Sequence, residues 1–287
     1  MKPGVSAFFD EQTNTVTYVL KDPSSNSCAI IDPVLDFDQA SGRTSTASAD
    51  RVLDFIHDNG LEVVWILETH AHADHLSAAA YLKSKTGGRT ATGRFITEVQ
   101  LTFKDIFKLG DEFVPNGEQF DCLFDDGELF KLGSLEIRVM HTPGHTPSCV
   151  TYVAGDAAFV GDTLFMPDYG TARTDFPGGD AAVLYRSIQK ILALPAATRI
   201  FLCHDYKAPG RDEYQWETTV GQQCAHNIHI HEGVTERAFV EFRTQRDSKL
   251  GMPKLILPSI QVNIRAGQMP PADEHGVVFL KIPVNVL

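Results

Sequence analysis

Apolar and polar positions follow two rhythms along this chain. Short runs rich in β-branched and aromatic residues read as strands: "TVTYVL", "SCAIIDPV" and "LEVVWILE", then "GELFKL", "LEIRVMHT", "SCVTYVA", "AAFVGD" and "RIFLCHD". Turn signals such as Asp126-Gly127 and Ala154-Gly155-Asp156 separate the middle set. Wider apolar spacing predicts helices at "SADRVLDFIHDNG", from about Asp74 to Lys85, and at "TEVQLTFKDIF" and "DAAVLYRSIQKILALP". Two more are predicted near "TTVGQQCAHNIHI" and "TERAFVEFRTQR". The last forty residues are rich in Pro, Ile and Val and lack a helical period, so they are expected to wrap the surface or run to a partner subunit. No repeat or low-complexity linker interrupts the pattern. The expectation is one layered α/β domain over residues 1–287, with about 250–287 as a C-terminal extension.

Composition narrows the function classes. Hydrophobic content of 43% and charged content of 22% suit a globular chain. A net charge of -12 argues against nucleic acid or an anionic membrane as partner. No run approaches the roughly 20 apolar residues of a membrane span. The start, "MKPGVSAFFDEQ", has no long apolar stretch and carries acids early, so no secretory signal is expected. The five cysteines are scattered and form no CxxC, which excludes a disulfide framework or zinc ribbon and points to a reducing cytoplasm.

The candidate chemistry sits where strands end. "ETHAHADHLSAAA" follows the strand "LEVVWIL" and places His70, His72, Asp74 and His75 within six positions. "MHTPGHTPSC" adds His141 and His145, "FVGDTLF" adds Asp162, and "FLCHDYKAPGR" adds His204, each where an apolar strand gives way to a loop. Imidazole and carboxylate are the ligand types of zinc and non-haem iron.

These motifs, "THAHADH", "HTPGHT", "GDTLF" and "CHDY", resemble those of the metallo-β-lactamase superfamily in their usual order, over roughly residues 15 to 230. The resemblance implies an αββα sandwich: two mixed sheets face to face, helices outside, metals at one edge. Within the superfamily the chain resembles persulfide (sulfur) dioxygenases, in a bacterial branch. Glyoxalase II-type thioesterases usually carry a second histidine near the GHT motif, where this chain has Ser148-Cys149. His145 and Asp162 are only 17 positions apart, a gap that is usually longer in the zinc hydrolases. "MPDYGTARTDFPGGDAAVLYRSI", "TRIFLCHDY", "LPSIQVNIRAG" and "LKIPVNVL" extend the likeness over nearly the whole chain.

That resemblance implies one Fe(II) per chain, held by His70, His145 and Asp162, and oxidation of glutathione persulfide by O₂ and water to sulfite and glutathione. His72, Asp74, His75 and His204 are then retained outside the iron's ligand set, where they orient it or keep a second metal site. Arg173 matches the arginine that follows the metal aspartate. It is expected to hold substrate, or else to pair with an acid such as Asp175. Tyr206 stands where glutathione-using relatives often place a substrate-binding tyrosine, with a packed core residue as the alternative. Lys207, Arg211 and Arg265 are further candidates for the two glutathione carboxylates. Cys149 is expected to pack or line the pocket. His226, His229 and His231 in "HNIHIHE" read as a solvated helix end. The C-terminal extension suggests a homodimer. The competing reading is a dinuclear zinc hydrolase acting on a glutathione thioester, with Asp74, His75 and His204 at its second metal.

Overall fold

The computed structural model describes residues 2–286. Two six-stranded sheets lie face to face. The first runs in the spatial order Gly4–Asp10, Thr15–Lys21, Ser27–Ile31, Glu62–Leu67, Arg89–Gly93 and Cys122–Phe124. Its first three strands are antiparallel and the rest parallel. The second runs Leu129–Leu132, Leu135–His141, Val150–Ala154, Ala157–Phe159, Arg199–Phe201 and Glu217–Thr219, with one parallel pair in the middle. A small three-stranded sheet of Arg43–Ser45, Val34–Asp38 and Leu76–Ser77 adjoins them, and the described residues form seven helices: α1 Ala47–Asp58, α2 Ala79–Thr86, α3 Ile96–Ile106, α4 Ala181–Leu192, α5 Val220–His226, α6 Glu236–Asp247 and α7 Ile256–Asn263. This is the expected αββα class.

Strand alternation builds the layers. Val16, Tyr18 and Leu20 point between the sheets and meet Ile137, Val139, Tyr152 and Phe159 of the other sheet. Val19, between them in sequence, points outward with Ile30 and Ile66 onto Val52 and Ile56 of α1 and Leu82 of α2. The second sheet sends Ala158 and Ile200 outward onto Leu184 and Ile188 of α4 and Phe239 of α6. Polar atoms lock the sheets together as well. The Tyr18 hydroxyl donates to the Leu202 carbonyl at 2.6 Å, and the Trp65 indole to the Lys131 carbonyl at 2.9 Å.

Three expectations change. The helix expected from Asp74 starts only at Ala79, because Leu76–Ser77 first pairs with Val34–Leu35. The whole HxHxDH segment is therefore loop, free to aim its side chains individually. The tail is not structureless either: α7 forms within it. Every described side chain of α7 except Leu257 is buried, so its sequence shows no amphipathic period to read. Pro258 is tolerated because first-turn N–H groups lack helical partners anyway. Beyond it, residues 268–286 form no helix or strand and leave Phe279, Ile282 and Val284 exposed.

The third change concerns "HNIHIHE". His226 and His231 are exposed, but His229 is buried, and its Nδ1 accepts from the Thr171 N–H at 3.0 Å. Burial, reinforced by Arg243 and Arg246, pushes its pKa down to about 3. The folded protein thus keeps His229 neutral where the unfolded chain, with an ordinary histidine pKa near 6.5, takes up a proton. Stability is fully present above about pH 6.5 and drains away towards pH 3, by up to about 1.4 kcal/mol per pH unit. His229→Gln should flatten urea-unfolding free energy over that window. Parallel pH profiles for variant and parent would refute this.

Among the described residues, no helix is long and apolar enough to cross a membrane.

Candidate metal centre

The centre is assembled at one edge of the sandwich, where strands from both sheets end. Asp32 closes the strand Ser27–Ile31 in a left-handed conformation, φ 51°, which aspartate tolerates better than most residues. Its carboxylate accepts from the Thr69 N–H at 2.7 Å and the Thr69 hydroxyl at 2.9 Å, and so pins the start of the ligand loop. The turn before Asp162 approaches the same point. Gly161 has φ 54°, and a Cβ there would sit 2.6 Å from the Thr69 hydroxyl oxygen and 3.4 Å from His70 Nδ1. Gly144 plays the equivalent part beside His145: a Cβ would lie 2.3 Å from the Leu184 backbone nitrogen of α4.

Hydrogen bonds set the tautomers. His145 Nδ1 lies 2.8 Å from the Arg173 carbonyl, which can only accept, so the proton is on Nδ1 and the Nε2 lone pair faces the centre. Thr69 spends its hydroxyl proton on Asp32 and so accepts from His70 Nδ1 at 3.0 Å, freeing His70 Nε2 in the same way. Those two nitrogens lie 3.6 Å (His145) and 3.9 Å (His70) from Asp162 Oδ2. One ligand atom from each of His70, His145 and Asp162 falls within 4.8 Å of the others. Ligands at about 2.0–2.2 Å from one ion are separated by only slightly less.

A second group adjoins the first. His72, Asp74, His75 and His204 also bring ligand atoms within 4.8 Å of one another. His204 Nε2 lies 2.9 Å from Asp74 Oδ2 and 3.2 Å from Asp162 Oδ1, so Asp162 touches both groups. His72 turns its Nε2 the other way, to Asp32 at 3.0 Å and Glu68 at 3.2 Å.

The electrostatics fit a cation. His70 Nε2, His72 Nδ1, His75 Nε2, His204 Nε2 and Asp162 Oδ1 are all buried without an aligned hydrogen-bond partner. Buried polar atoms left this way are costly unless an ion completes them. Burial drives His70 well below the usual histidine pKa and, with neighbouring His72, takes His75 to about 4, so both stay neutral. Burial raises Asp162. It opposes charge on His204 too, but Asp162 and Asp74 override it and push that pKa up to about 9. The donor set is nitrogen and oxygen, suited to iron or zinc. Cys203 adjoins the set, but burial holds its thiol well above the usual range and therefore protonated.

Some positioning residues carry no motif. Glu68 and Asp32 share His72, and Ser77 donates to Glu68. Asn263 of α7 donates to the carbonyls of His72 and His75, both at 2.8 Å, and accepts from the Ser77 N–H. A side chain almost two hundred positions downstream thus clamps the ligand loop at three backbone groups. The aspartate directly after "CAII" was a readable signal for Asp32; nothing local marks Asn263.

A cavity of about 540 Å³ opens over His145, Asp162 and Asp74, walled by Phe165, Tyr169 and Tyr206. Tyr206 stacks 5.6 Å from His204 and points its hydroxyl towards Asp74. Arg173 lines this cavity, yet it is committed to Asp175 at 2.5 and 2.6 Å and to the Gly251 carbonyl at 2.8 Å. Its alternative reading, an ion pair with Asp175, is the one present. Lys207, Arg211 and Arg265 do not line it. Lys207 lies over the Tyr214 ring at 4.2 Å. Arg211 braces the loop after His204 through Asp205 and Asp168. Arg265 stacks on Phe113. The cavity's cations are instead Arg173, Arg243, Arg246 and Lys254, all but Arg173 unforeseen. Cys149 is buried beneath Thr146, and burial lifts its thiol to about 12, so it packs rather than attacks.

The "Metallo-beta-lactamase superfamily" sequence pattern matches residues 11–204, more than half of the chain. The chain belongs to this superfamily. Within the metallo-beta-lactamase superfamily it is 55% identical to a probable metallo-hydrolase of Burkholderia pseudomallei, covering 99% of each chain. It is 48% identical to "Glyoxylase B2" of Dictyostelium discoideum, over 100% of this chain and 98% of that one. With the mitochondrial persulfide dioxygenase ETHE1 of Homo sapiens it shares 33% identity over 69% of this chain and 66% of the relative. The crystal structure of ETHE1 from Myxococcus xanthus superposes with a TM-score of 0.73 at 27% identity, over 92% of this chain and 100% of that one. Bacterial relatives named beta-lactamase hydrolase-like proteins are longer, and the chain spans 65% of their length.

Proposed function

We propose that the chain is a persulfide dioxygenase that holds one Fe(II) on His70, His145 and Asp162. The observation that carries this reading is the three-residue group itself: two imidazole nitrogens and one carboxylate brought together, with His145 and Asp162 on the cavity wall. Such a 2-His-1-carboxylate set suits non-haem iron and leaves positions open. Fe(II), when bound, supplies electrons to O₂, which redox-inert zinc does not. The reaction balances without nicotinamide or flavin. Glutathione persulfide, O₂ and water yield glutathione and sulfurous acid, the outer sulfur giving up the four electrons that O₂ takes. The likeness to ETHE1 relatives in sequence and fold supports the same reading.

The chain's own residues then bind and orient. The Arg173 carbonyl holds the His145 ring in place. Phe165, Tyr169 and Tyr206 wall a cavity of the size small-molecule sites have. Arg246 and Lys254 are exposed on that cavity and have no ion pair among the described residues, so they are available to the two glutathione carboxylates. Arg246→Ala with Lys254→Ala should raise KM for glutathione persulfide about tenfold or more and leave kcat within about twofold. An unchanged KM would remove them from the substrate site.

A second reading rests on the intact group of His72, Asp74, His75 and His204, which suits a second ion, and on the relative named Glyoxylase B2. It makes the chain a dinuclear zinc hydrolase of a glutathione thioester. One experiment separates the two. Protein loaded with iron or with zinc is given glutathione persulfide or a glutathione thioester, while O₂ uptake, sulfite, free thiol and bound metal are counted. Uptake matched by sulfite with one iron per chain supports the dioxygenase. Thioester cleavage with two metals and no O₂ uptake replaces it with the hydrolase.

A further inference from the structure

A second cavity, of about 200 Å³, shares no lining residue with the first. Arg265 lines it and is 6% exposed. Its Nη1 is fully buried, and among the described residues the guanidinium has no hydrogen-bond partner and no carboxylate within 4.0 Å. One face of the group lies over Phe113, 4.3 Å from the ring centroid. Stacking satisfies the face of a guanidinium and leaves its edge donors unmet.

Each of the other polar side chains around this cavity has a partner. Lys281 Nζ donates to the Lys108 carbonyl at 2.9 Å. The Gln261 amide donates to the carbonyls of Leu257 and Lys281 and accepts from the Lys281 N–H. Asp273 accepts from two backbone N–H groups, and Glu112 from the Gly110 N–H. Among the described residues, Arg265 is the one polar side chain lining the cavity that has no hydrogen-bond partner. Its complement is an anion that presents two oxygens to a planar edge, which describes a carboxylate. Glu112 and Asp273 disfavour a second negative charge. The remaining wall is apolar, formed by Leu109, Pro270, Pro271 and Phe279.

We propose that this cavity is a binding site for a short aliphatic monocarboxylate, held at its charged end by the edge of Arg265 and along its chain by those four apolar residues. Position and sequence give the site a route to the metal centre. Gln261 and Arg265 line it, and Asn263 between them clamps the backbone of His72 and His75. Occupancy therefore steadies the segment that holds the ligand loop.

The test uses metal-loaded protein with three probes: butyrate, 1-butanol (the chain without the charge) and sulfate (the charge without the chain). Butyrate should bind one per chain by calorimetry and raise Tm, while butanol and sulfate do neither. Arg265→Lys, which keeps the charge and the fold but loses the fork, should weaken butyrate binding about fivefold or more. Glu112→Gln should tighten it. No butyrate binding, equal binding of butanol, or preference for sulfate would overturn the proposal. So would butyrate binding that survives Arg265→Lys, since that would place it at the metal instead. A crystal structure grown with butyrate in which Arg265 pairs with Glu112 would overturn it as well.

Discussion

Asp162→Ala should leave the protein folded, strip its metal and lower turnover by at least about a thousandfold, equivalent to about 4 kcal/mol of transition-state free energy. The expectation follows from its position. Among the described residues, Oδ2 is the one carboxylate oxygen within 4.0 Å of both His70 Nε2 and His145 Nε2, and Oδ1 reaches His204 Nε2 at 3.2 Å. Removing the side chain takes one of three ligands from the first group and the shared wall of the second. Two neutral imidazoles do not hold Fe(II) against water. The fold is spared because Asp162 makes no hydrogen bond that braces a strand; its oxygens face the other ligands. Metal content by mass spectrometry, measured beside circular dichroism, decides the matter. Full metal loading in folded Asp162→Ala would refute the ligand assignment.

Asp32→Ala should be the most destabilising single change at the site, by about 3–5 kcal/mol in urea unfolding at pH 7. Asp32 never touches the cavity. It is buried, and although burial opposes its charge, His72 holds its carboxyl below the usual range. Burial likewise opposes charge on His72, yet Asp32 and Glu68 raise its pKa well above the ordinary value. Truncation leaves the buried His72 Nε2 with Glu68 alone and leaves the Thr69 N–H without its 2.7 Å acceptor. Asp32→Asn keeps an acceptor for Thr69 and should cost less, while still loosening the metal by about 10–100-fold as the loop loses its anchor. A loss below about 1 kcal/mol in Asp32→Ala would show that Glu68 alone satisfies His72.

Much of the centre was legible because metal chemistry restricts residue type and strand ends restrict position. His70, His145, Asp162 and the second set of His72, Asp74, His75 and His204 were all named from their motifs, and the fold brings each set together. The substrate side was far less legible. Lys207, Arg211 and Arg265 were plausible only as cations near motifs, and a cation's partner is decided by what folds against it. Arg211 meets Asp205 and Asp168; Arg265 meets Phe113. Arg246 and Lys254 attracted no notice, since an exposed basic residue on a polar helix or loop looks ordinary until a cavity opens beside it.

By itself, then, the sequence pointed to a layered α/β domain and to the candidate ligand residues, while its resemblance to a known superfamily implied the sandwich and the division of those residues into two sets. Period-two alternation records which strand faces are buried, and clustered imidazoles have few other uses. Only the tertiary structure decided the rest. It showed that the apolar "ILPSIQVN" segment is a helix, invisible as one because burial on nearly all sides erases the amphipathic signal. It showed that Asn263 clamps the ligand loop from far downstream, and which arginines are free and which are spent. Those are long-range pairings, set by shape and burial across the fold rather than by any local pattern along the chain.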